Sequence, residues 1–296
     1  MNIGKIREAS VAGSFYSSDK RELTDSIKNS FLHRYGPKKL PNINKKNNLL
    51  KGVIVPHAGI YYSGSIAAHS YYAIAEDGFA DSFIILGPNH RGVGSRISLY
   101  PKGVWEVPNG NINMDEDLID NLSCNLINID ENAHPYGENS IEVQIPFLNY
   151  ISNNRNFTAA LISMALQDYE TAKDVGEKIA EVIIKDERKI LIIASSDFSH
   201  EGFAYGRIPP NNLSADAFAR MQDNIAIDKI KKFDPEGLIS SVNKNNISMC
   251  GYGPIAVLLV AAKKLGAKNV ELIKYITSND IESSSHCVGY GSFKIW

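Results

Sequence analysis

A single α/β domain, with a mostly parallel or mixed central sheet flanked by helices, is the fold this sequence predicts. Three observations carry it. Residues 53–55, 83–86 and 190–194 are short, wholly apolar, β-branched runs without polar alternation. That composition suits strands covered on both faces. Helical patterns stand before or after these runs, as crossover connections require. No linker of Gly, Ser and Pro and no block of like charge divides the 296 residues, so one domain is expected over 1–296.

Taken in order, residues 9–16 are small and aromatic and read as a loop or edge segment lying over the sheet. A helix is expected from Asp19, where Leu23, Ile27 and Phe31 recur at four-residue spacing and Asp19 with Glu22 resembles a capping box. Residues 36–48 carry turn formers and lysines and read as a solvated loop. After the strand at 53–55, a helix over 64–76 would return the chain to the strand at 83–86 as a right-handed βαβ unit. Short strands are expected at 96–100 and 104–107, and a short acid-opened helix at 115–122. Residues 130–140 form a polar loop holding His134, Tyr136 and Glu138, followed by a helix over 141–150 interrupted by Pro146. A buried strand at 158–164 precedes the clearest amphipathic helix, 171–184, which feeds the strand at 190–194. Two surface helices are read at 214–221 and 225–233. Pro254 opens a helix that Gly266 ends, and strands at 272–277 and 288–295 close the chain.

Composition narrows the function. Hydrophobic residues make up 44%, charged residues 22%, and the net charge is −2. These are values of an ordinary globular chain, and without a basic stripe nucleic acid is not the expected partner. The longest apolar run, 255–262, is too short for a bilayer. The first residues lack the apolar core of a signal peptide, so a cytoplasmic location is expected. Cys124, Cys250 and Cys287 show no C-x-x-C spacing, and no disulfide framework is expected.

The candidate chemistry sits where strands end. His57, His90 and His200 each follow one of the three apolar runs. In open α/β sheets ligands bind outside the carboxyl ends of the strands, so the three imidazoles would meet in one crevice. A single histidine there is more often an ordinary hydrogen-bonded loop residue; three at equivalent ends favour a shared site. His69 and His33 read as structural or exposed, and His286 stays open. Cys250 precedes a helix, whose N-terminus favours thiolate, the form that binds metal. The competing reading is a packed thiol, which suits Cys124 and Cys287 better. Asp197, three residues before His200, would orient an imidazole or exchange protons with a substrate; as a helix cap it would do neither.

An ordered set of motifs spans nearly the whole chain: V-A-G-S-F-Y at 11–16, V-P-H-A-G at 55–59, Y-S-G at 62–64, L-G-P-N-H at 86–90, S-I-E-V-Q-I-P-F-L at 140–148, S-S-D-F-S-H at 195–200 and C-G-Y-G-P-I-A-V-L-L at 250–259. Together they resemble the Memo family (mediator of cell motility), also described as AmmeMemoRadiSam system protein B. That family is similar in fold to the class III extradiol ring-cleaving dioxygenases, which use non-haem iron. The resemblance implies metal ligands at His57, His90 and Cys250, with Asp197 and His200 lining the same pocket. The chain departs from the family at Glu138-Asn139-Ser140, where many members read E-H-S; the imidazole missing at Asn139 leaves His134 as a substitute to be tested. The family itself departs from the dioxygenases by placing a thiolate where they have a carboxylate, which makes copper(I) or zinc competitive with iron(II) and exposes the ligand to oxidation.

Two functions follow as expectations. One is a metal-dependent, dioxygenase-like oxidoreductase using Fe(II) on a small oxidisable substrate, with Asp197 or His200 moving protons. The other is a non-catalytic adaptor that binds a peptide or metal in the same pocket, with a radical SAM or AMMECR-type protein as partner. A zinc hydrolase with Asp197 as base is a further reading. No G-x-S-x-G elbow surrounds Ser195 or Ser196, which disfavours a serine hydrolase.

Overall fold

The computed structural model describes residues 5–42, 47–210 and 212–296. In chain order the elements are β1 (Lys5–Arg7), α1 (Lys20–Leu32), β2 (Gly52–Val55), α2 (Ile60–Asp77), β3 (Ser82–Pro88), β4 (Ile97–Leu99), β5 (Gly103–Val107), β6 (Gly110–Met114), α3 (Glu116–Leu122) and β7 (Asn128–Ile129). They continue with α4 (Gln144–Ser152), β8 (Thr158–Met164), α5 (Tyr169–Lys185), β9 (Ile190–Ser195), β10 (His200–Glu201), α6 (Ala215–Lys231), α7 (Pro235–Lys244), α8 (Tyr252–Lys264), β11 (Val270–Thr277), α9 (Ser278–Ile281) and β12 (Cys287–Ile295).

The described strands form one twelve-stranded mixed sheet, ordered β1-β5-β6-β8-β3-β9-β2-β12-β10 along its main path. Its centre is parallel: β8 pairs β3, β3 pairs β9, and β9 pairs β2. Every residue of β2, β3 and β9 is buried, which is why these strands show no polar alternation. β12 pairs antiparallel with β2. Helices α1, α2 and α4 pack on one another, while α5, α7 and α8 form a second group.

The sheet order corrects the simple βαβ reading. β9 lies between β2 and β3, so α2 joins strands that are not neighbours. The late strand β9 is covered on both faces there, with every residue buried. That insertion puts the ends of β2, β9 and β3 side by side.

Other boundaries moved for local reasons. The two surface helices read over 214–233 are one helix, α6, with Ala219, Asp223, Ala226 and Ile230 on its buried side. Asp223, in the stretch read as the gap between them, turns inward and accepts from the Ser199 amide (2.8 Å) and the Tyr275 hydroxyl (2.6 Å). Helix α4 starts at Gln144, which places Pro146 in its first turn, where a missing N–H costs no helical bond. At α1, Asp19 accepts from the Arg21 and Glu22 amides, but Glu22 accepts from Ser17 Oγ (2.7 Å) instead of closing the box. The solvated loop at 36–48 includes residues 43–46, which lie outside the described residues. Strands β1, β6 and β10 and helix α7 carried too short or too polar a pattern to be read beforehand.

The 9–16 segment is fastened by one buried carboxylate. Glu142 accepts from the amides of Ser10 (2.9 Å) and Val11 (2.9 Å), the Tyr16 hydroxyl (2.6 Å) and Arg7 Nη1 (2.6 Å). Arg7 also donates to the carbonyls of His134 and Pro135 and stacks 3.8 Å over Trp105. It therefore grips both ends of the segment 134–142. Removing one partner of a buried ion pair costs ~3–5 kcal/mol, because the other charge is stranded. Arg7→Met should lower the unfolding free energy in urea by about that amount; a loss well under ~1 kcal/mol would show that Glu142 does not depend on it.

Candidate metal centre

His57 comes off the end of β2. Val55 pairs with Ser195 at the end of β9, and Pro56 cannot donate to the ladder, so the strand stops. The His57 amide then donates to Asp197 Oδ1 (2.8 Å), and the ring turns into the protein. Its Nδ1 lies 2.8 Å from Ser195 Oγ. That hydroxyl donates to the Ser140 carbonyl (2.6 Å) and accepts from Gln144 Nε2 (2.9 Å). A serine hydroxyl has a single proton, already given to Ser140, so His57 Nδ1 must carry the proton in this contact. Nε2 is therefore the nitrogen left to face a proton or a metal. Gln144 is itself oriented, since Nε2 donates to the Pro56 carbonyl (3.1 Å) and Oε1 accepts from Tyr71 (2.6 Å).

His90 follows β3 and is fixed by Glu138. The carboxylate takes the His90 amide on Oε2 (2.8 Å) and the His90 ring Nδ1 on Oε1 (2.9 Å), and Oε1 also accepts from the Ser140 amide (3.0 Å). An ionised carboxylate only accepts, so Nδ1 again holds the proton and Nε2 is the free nitrogen. Carboxylate or carbonyl partners on the far nitrogen commonly orient metal-binding histidines.

Cys250 stands just before α8. The Gly251 amide donates to Ser196 Oγ (2.9 Å) and the Cys250 carbonyl accepts from Gln167 Nε2 (2.9 Å). A Cβ at Gly251 would meet the Ser195 carbonyl oxygen at 2.5 Å, so only glycine lets the chain come this close to β9. Cys250 Sγ is 3.2 Å from His57 Nε2. One ligand atom from each of His57, His90 and Cys250 falls within 4.8 Å of the other two. His57 is buried, Cys250 half-buried, and the His90 side chain 35% exposed, so the cluster opens to solvent beside His90.

The electrostatics follow from this packing. Burial opposes charge on all of these groups, but they offset it for one another. Burial would raise the Cys250 thiol, yet His57 and His90 hold it down to about 5. Burial would lower His90, yet Cys250 and Glu138 raise it to about 10. His57 is raised as well, by Cys250 and Asp197 against burial. Glu138, despite burial, is held at about 2 by His90 and the Ser140 amide. Without a metal the cluster is a thiolate–imidazolium assembly. Two imidazoles with outward lone pairs and a thiolate are donors that fit a transition-metal ion, and its binding would displace the ring protons.

Comparison with known proteins agrees with the motifs. A family model described as Memo-like protein matches residues 7–294. The chain belongs to the Memo family. It is 42% identical to a MEMO1 family protein of Methanococcus vannielii, across 98% of this chain and 99% of that protein. Identity is 39% with a MEMO1 family protein of Methanopyrus kandleri, covering 97% of each chain. A MEMO1 family protein of Sulfolobus acidocaldarius is 40% identical, across 98% of this chain and 99% of the relative.

The other expected site residues of this Memo family member are placed as follows. Asp197 is buried beside the cluster: Oδ1 takes the His57 amide and, at 3.3 Å, the Ala58 amide. Among the described residues no hydrogen bond reaches Oδ2. His200 does not directly follow β9, which ends at Ser195, but opens β10. Its Nδ1 contacts the Ser248 carbonyl (3.2 Å) and its ring meets Tyr205 edge-on at 5.2 Å. Asn139 donates from Nδ2 to the His57 carbonyl (3.0 Å), so it supports the ligand backbone where an imidazole was missed. His134 is no substitute. Its ring is buried between Tyr100 and Trp105, and burial with nearby Arg7 lowers it to about 4. His69 binds the Tyr35 carbonyl from within α2 (2.9 Å) and His286 contacts Ser284 (2.9 Å). Cys287 is buried, as a packed thiol should be, whereas Cys124 is exposed, contrary to expectation, because it lies in the turn after α3.

Two outcomes check this geometry. In metal-free protein, iodoacetamide should modify Cys250 with a midpoint near pH 5, far below the ~8.5 of a free thiol; below the midpoint the sulfur is protonated and slow. A midpoint near that of a free thiol would contradict the pairing. Glu138→Gln should weaken cobalt(II) binding by about 10- to 100-fold in a spectroscopic titration, the usual effect of losing an orienting partner, while an unchanged affinity would show that His90 orients itself.

Proposed function

We propose that this protein is a metal-dependent oxidoreductase acting on a small oxidisable substrate, with iron(II) held by His57, His90 and Cys250. The observation that supports this reading is the orientation of the rings: in both imidazoles Nδ1 is held by a partner, which leaves Nε2 as the nitrogen a metal would take beside the Cys250 sulfur. Iron(II) with three protein ligands would supply redox chemistry at its remaining coordination positions. Copper(I) or zinc competes for the same donors because thiolate is soft.

The chain's own groups take the remaining roles. Glu138 and Ser195 hold the imidazoles in place. Asp197, with Oδ2 unengaged, accepts or returns a substrate proton while its other oxygen stays on the His57 amide. Solvent and substrate enter beside His90. His200, held by Ser248, acts further out along the approach. A second reading, a protein-binding adaptor with a radical SAM or AMMECR-type partner, draws support from Phe203 and Ile208, two large apolar side chains close in sequence that are 87% and 85% exposed. No described helix is long and apolar enough to cross a membrane.

Protein purified without oxygen, which spares the thiolate, should carry stoichiometric metal by elemental analysis. His57→Ala and Cys250→Ala should both lose it. Stoichiometric metal in both variants would overturn the ligand assignment, and zinc or copper in place of iron would overturn the choice of ion. Oxygen uptake dependent on a small aromatic substrate supports the enzyme reading; tight co-purification of a protein partner without turnover supports the adaptor.

A further inference from the structure

The ends of β2, β3 and β9 carry the imidazoles and their supports, and the end of a fourth strand reaches the cluster as well. β8 pairs with β3, and the chain beyond its carboxyl end brings Gln167 to the loop that presents Cys250. Both ends of the Gln167 amide are used there: Nε2 donates to the Cys250 carbonyl (2.9 Å), and Oε1 accepts from the Gly253 amide (2.8 Å). One side chain thus spans the turn from the sulfur ligand to the start of α8. A Cβ at Gly253 would meet Gln167 Cβ and Cγ at 2.8 Å, so the approach needs glycine at 253. The peptide that follows Cys250 is then held at both its polar atoms, its carbonyl by Gln167 and its N–H by Ser196 Oγ (2.9 Å).

This contact replaces a cap that α8 cannot supply for itself. The first amides of a helix have no partner inside it, and a Ser, Thr, Asp or Asn side chain at the cap usually takes one. Here the cap is Gly251, and no side-chain cap bond forms. None of the usual residues fits, because a Cβ at 251 would meet the Ser195 carbonyl oxygen at 2.5 Å. Gln167 brings the missing acceptor from another element, and the same amide does what an ordinary cap does not, since it also holds the carbonyl of the ligand residue. A glutamate at 167 would accept from Gly253 but could not donate to Cys250 when ionised, and it would set a second negative charge near the sulfur. A neutral amide, with one donor and one acceptor, is the group this place calls for.

We propose that Gln167 is a positioning residue of this site: by pinning the peptide after Cys250 it keeps the sulfur within reach of the ion that His57 and His90 face. The inference rests on the proposed metal centre for its place in the chemistry. Without Gln167 the two imidazoles stay while the sulfur loosens, which costs a soft, thiophilic ion most. The probe is cadmium, titrated into metal-free full-length protein and followed by its thiolate absorption. Gln167→Ala should weaken cadmium binding by about 10- to 100-fold, the usual effect of losing a group that orients a ligand, and should diminish the thiolate band. Gln167→Glu, which keeps the acceptor and loses the donor, should do the same. Asp168→Ala is the control for a merely structural cap. Asp168 is the next residue and caps α5 by accepting from the Thr171 amide (2.9 Å), so its loss should leave cadmium affinity and the band at wild-type values. In metal-free protein the nitrogen NMR resonance of His57 Nε2, which lies 3.2 Å from the sulfur, should move in Gln167→Ala and not in Asp168→Ala. Wild-type cadmium affinity with an unmoved His57 resonance in Gln167→Ala, or an equal loss in Gln167→Ala and Asp168→Ala, would overturn the proposal. Absence of the thiolate band in the unaltered protein would instead overturn the metal reading, and the His57 resonance would still decide this one.

Discussion

One proton on Ser195 decides what the site can do. Its hydroxyl touches three groups, the Ser140 carbonyl, Gln144 Nε2 and His57 Nδ1. A carbonyl can only accept and an amide nitrogen only donate, so the hydroxyl hydrogen goes to Ser140 and the imidazole must supply its own. The lone pair of His57 is thereby turned toward Cys250. Every part of that arrangement comes from a different element: Ser195 ends β9, His57 leaves β2, and Ser140 and Gln144 flank the start of α4. The parallel sheet is what brings them together, because β9 lies against both β2 and β3 and carries their ends to one level.

The segment 134–142 completes the frame. Arg7 and Glu142 hold its two ends, and its middle supplies Glu138 to His90, Asn139 to the His57 carbonyl and the Ser140 amide to Glu138. A long polar loop would normally be mobile, and this one has little regular structure. It is held in place through Glu142, which is fully buried with its donors in place. The N-terminal segment, which touches none of the three ligand atoms, therefore contributes to the site through the loop it anchors.

Much of this was legible in the sequence, for a physical reason. The central strands are buried on both faces and so leave continuous apolar runs; 158–164 was read to the residue. The groups at their ends stand out against such runs, which is how His57 and His90 were found. Cys250 was legible only as one of two alternatives until the family resemblance was added. The supporting residues left weaker traces. Glu138, Ser195 and Gln144 lie in polar or mixed stretches where any of several side chains can be exposed, and only the tertiary fold shows which are turned inward. The strand order was hidden for a similar reason. Local periodicity records how each element is buried but not which neighbour buries it, so β9 between β2 and β3 could not be read. The misread break in α6 has the same origin, since Asp223 is polar by type and buried by position.

A thiolate at this centre costs something that a carboxylate would not, and the structure shows how it is offset. A buried thiol would rather stay protonated. Here two imidazoles face it, and each is kept ready by a partner of its own, Ser195 for one and Glu138 for the other. The negative charge on Glu138 stabilises proton-bearing His90, His90 stabilises the thiolate, and a metal entering the cluster takes over the role that the ring protons play without it. The same chain of dependence keeps the site selective. A hard ion such as magnesium prefers oxygen donors and gains little from a sulfur and two imidazole nitrogens, whereas a softer ion gains from all three. The choice of donor atoms, fixed by backbone geometry and by one serine proton, thus narrows the chemistry before any substrate arrives.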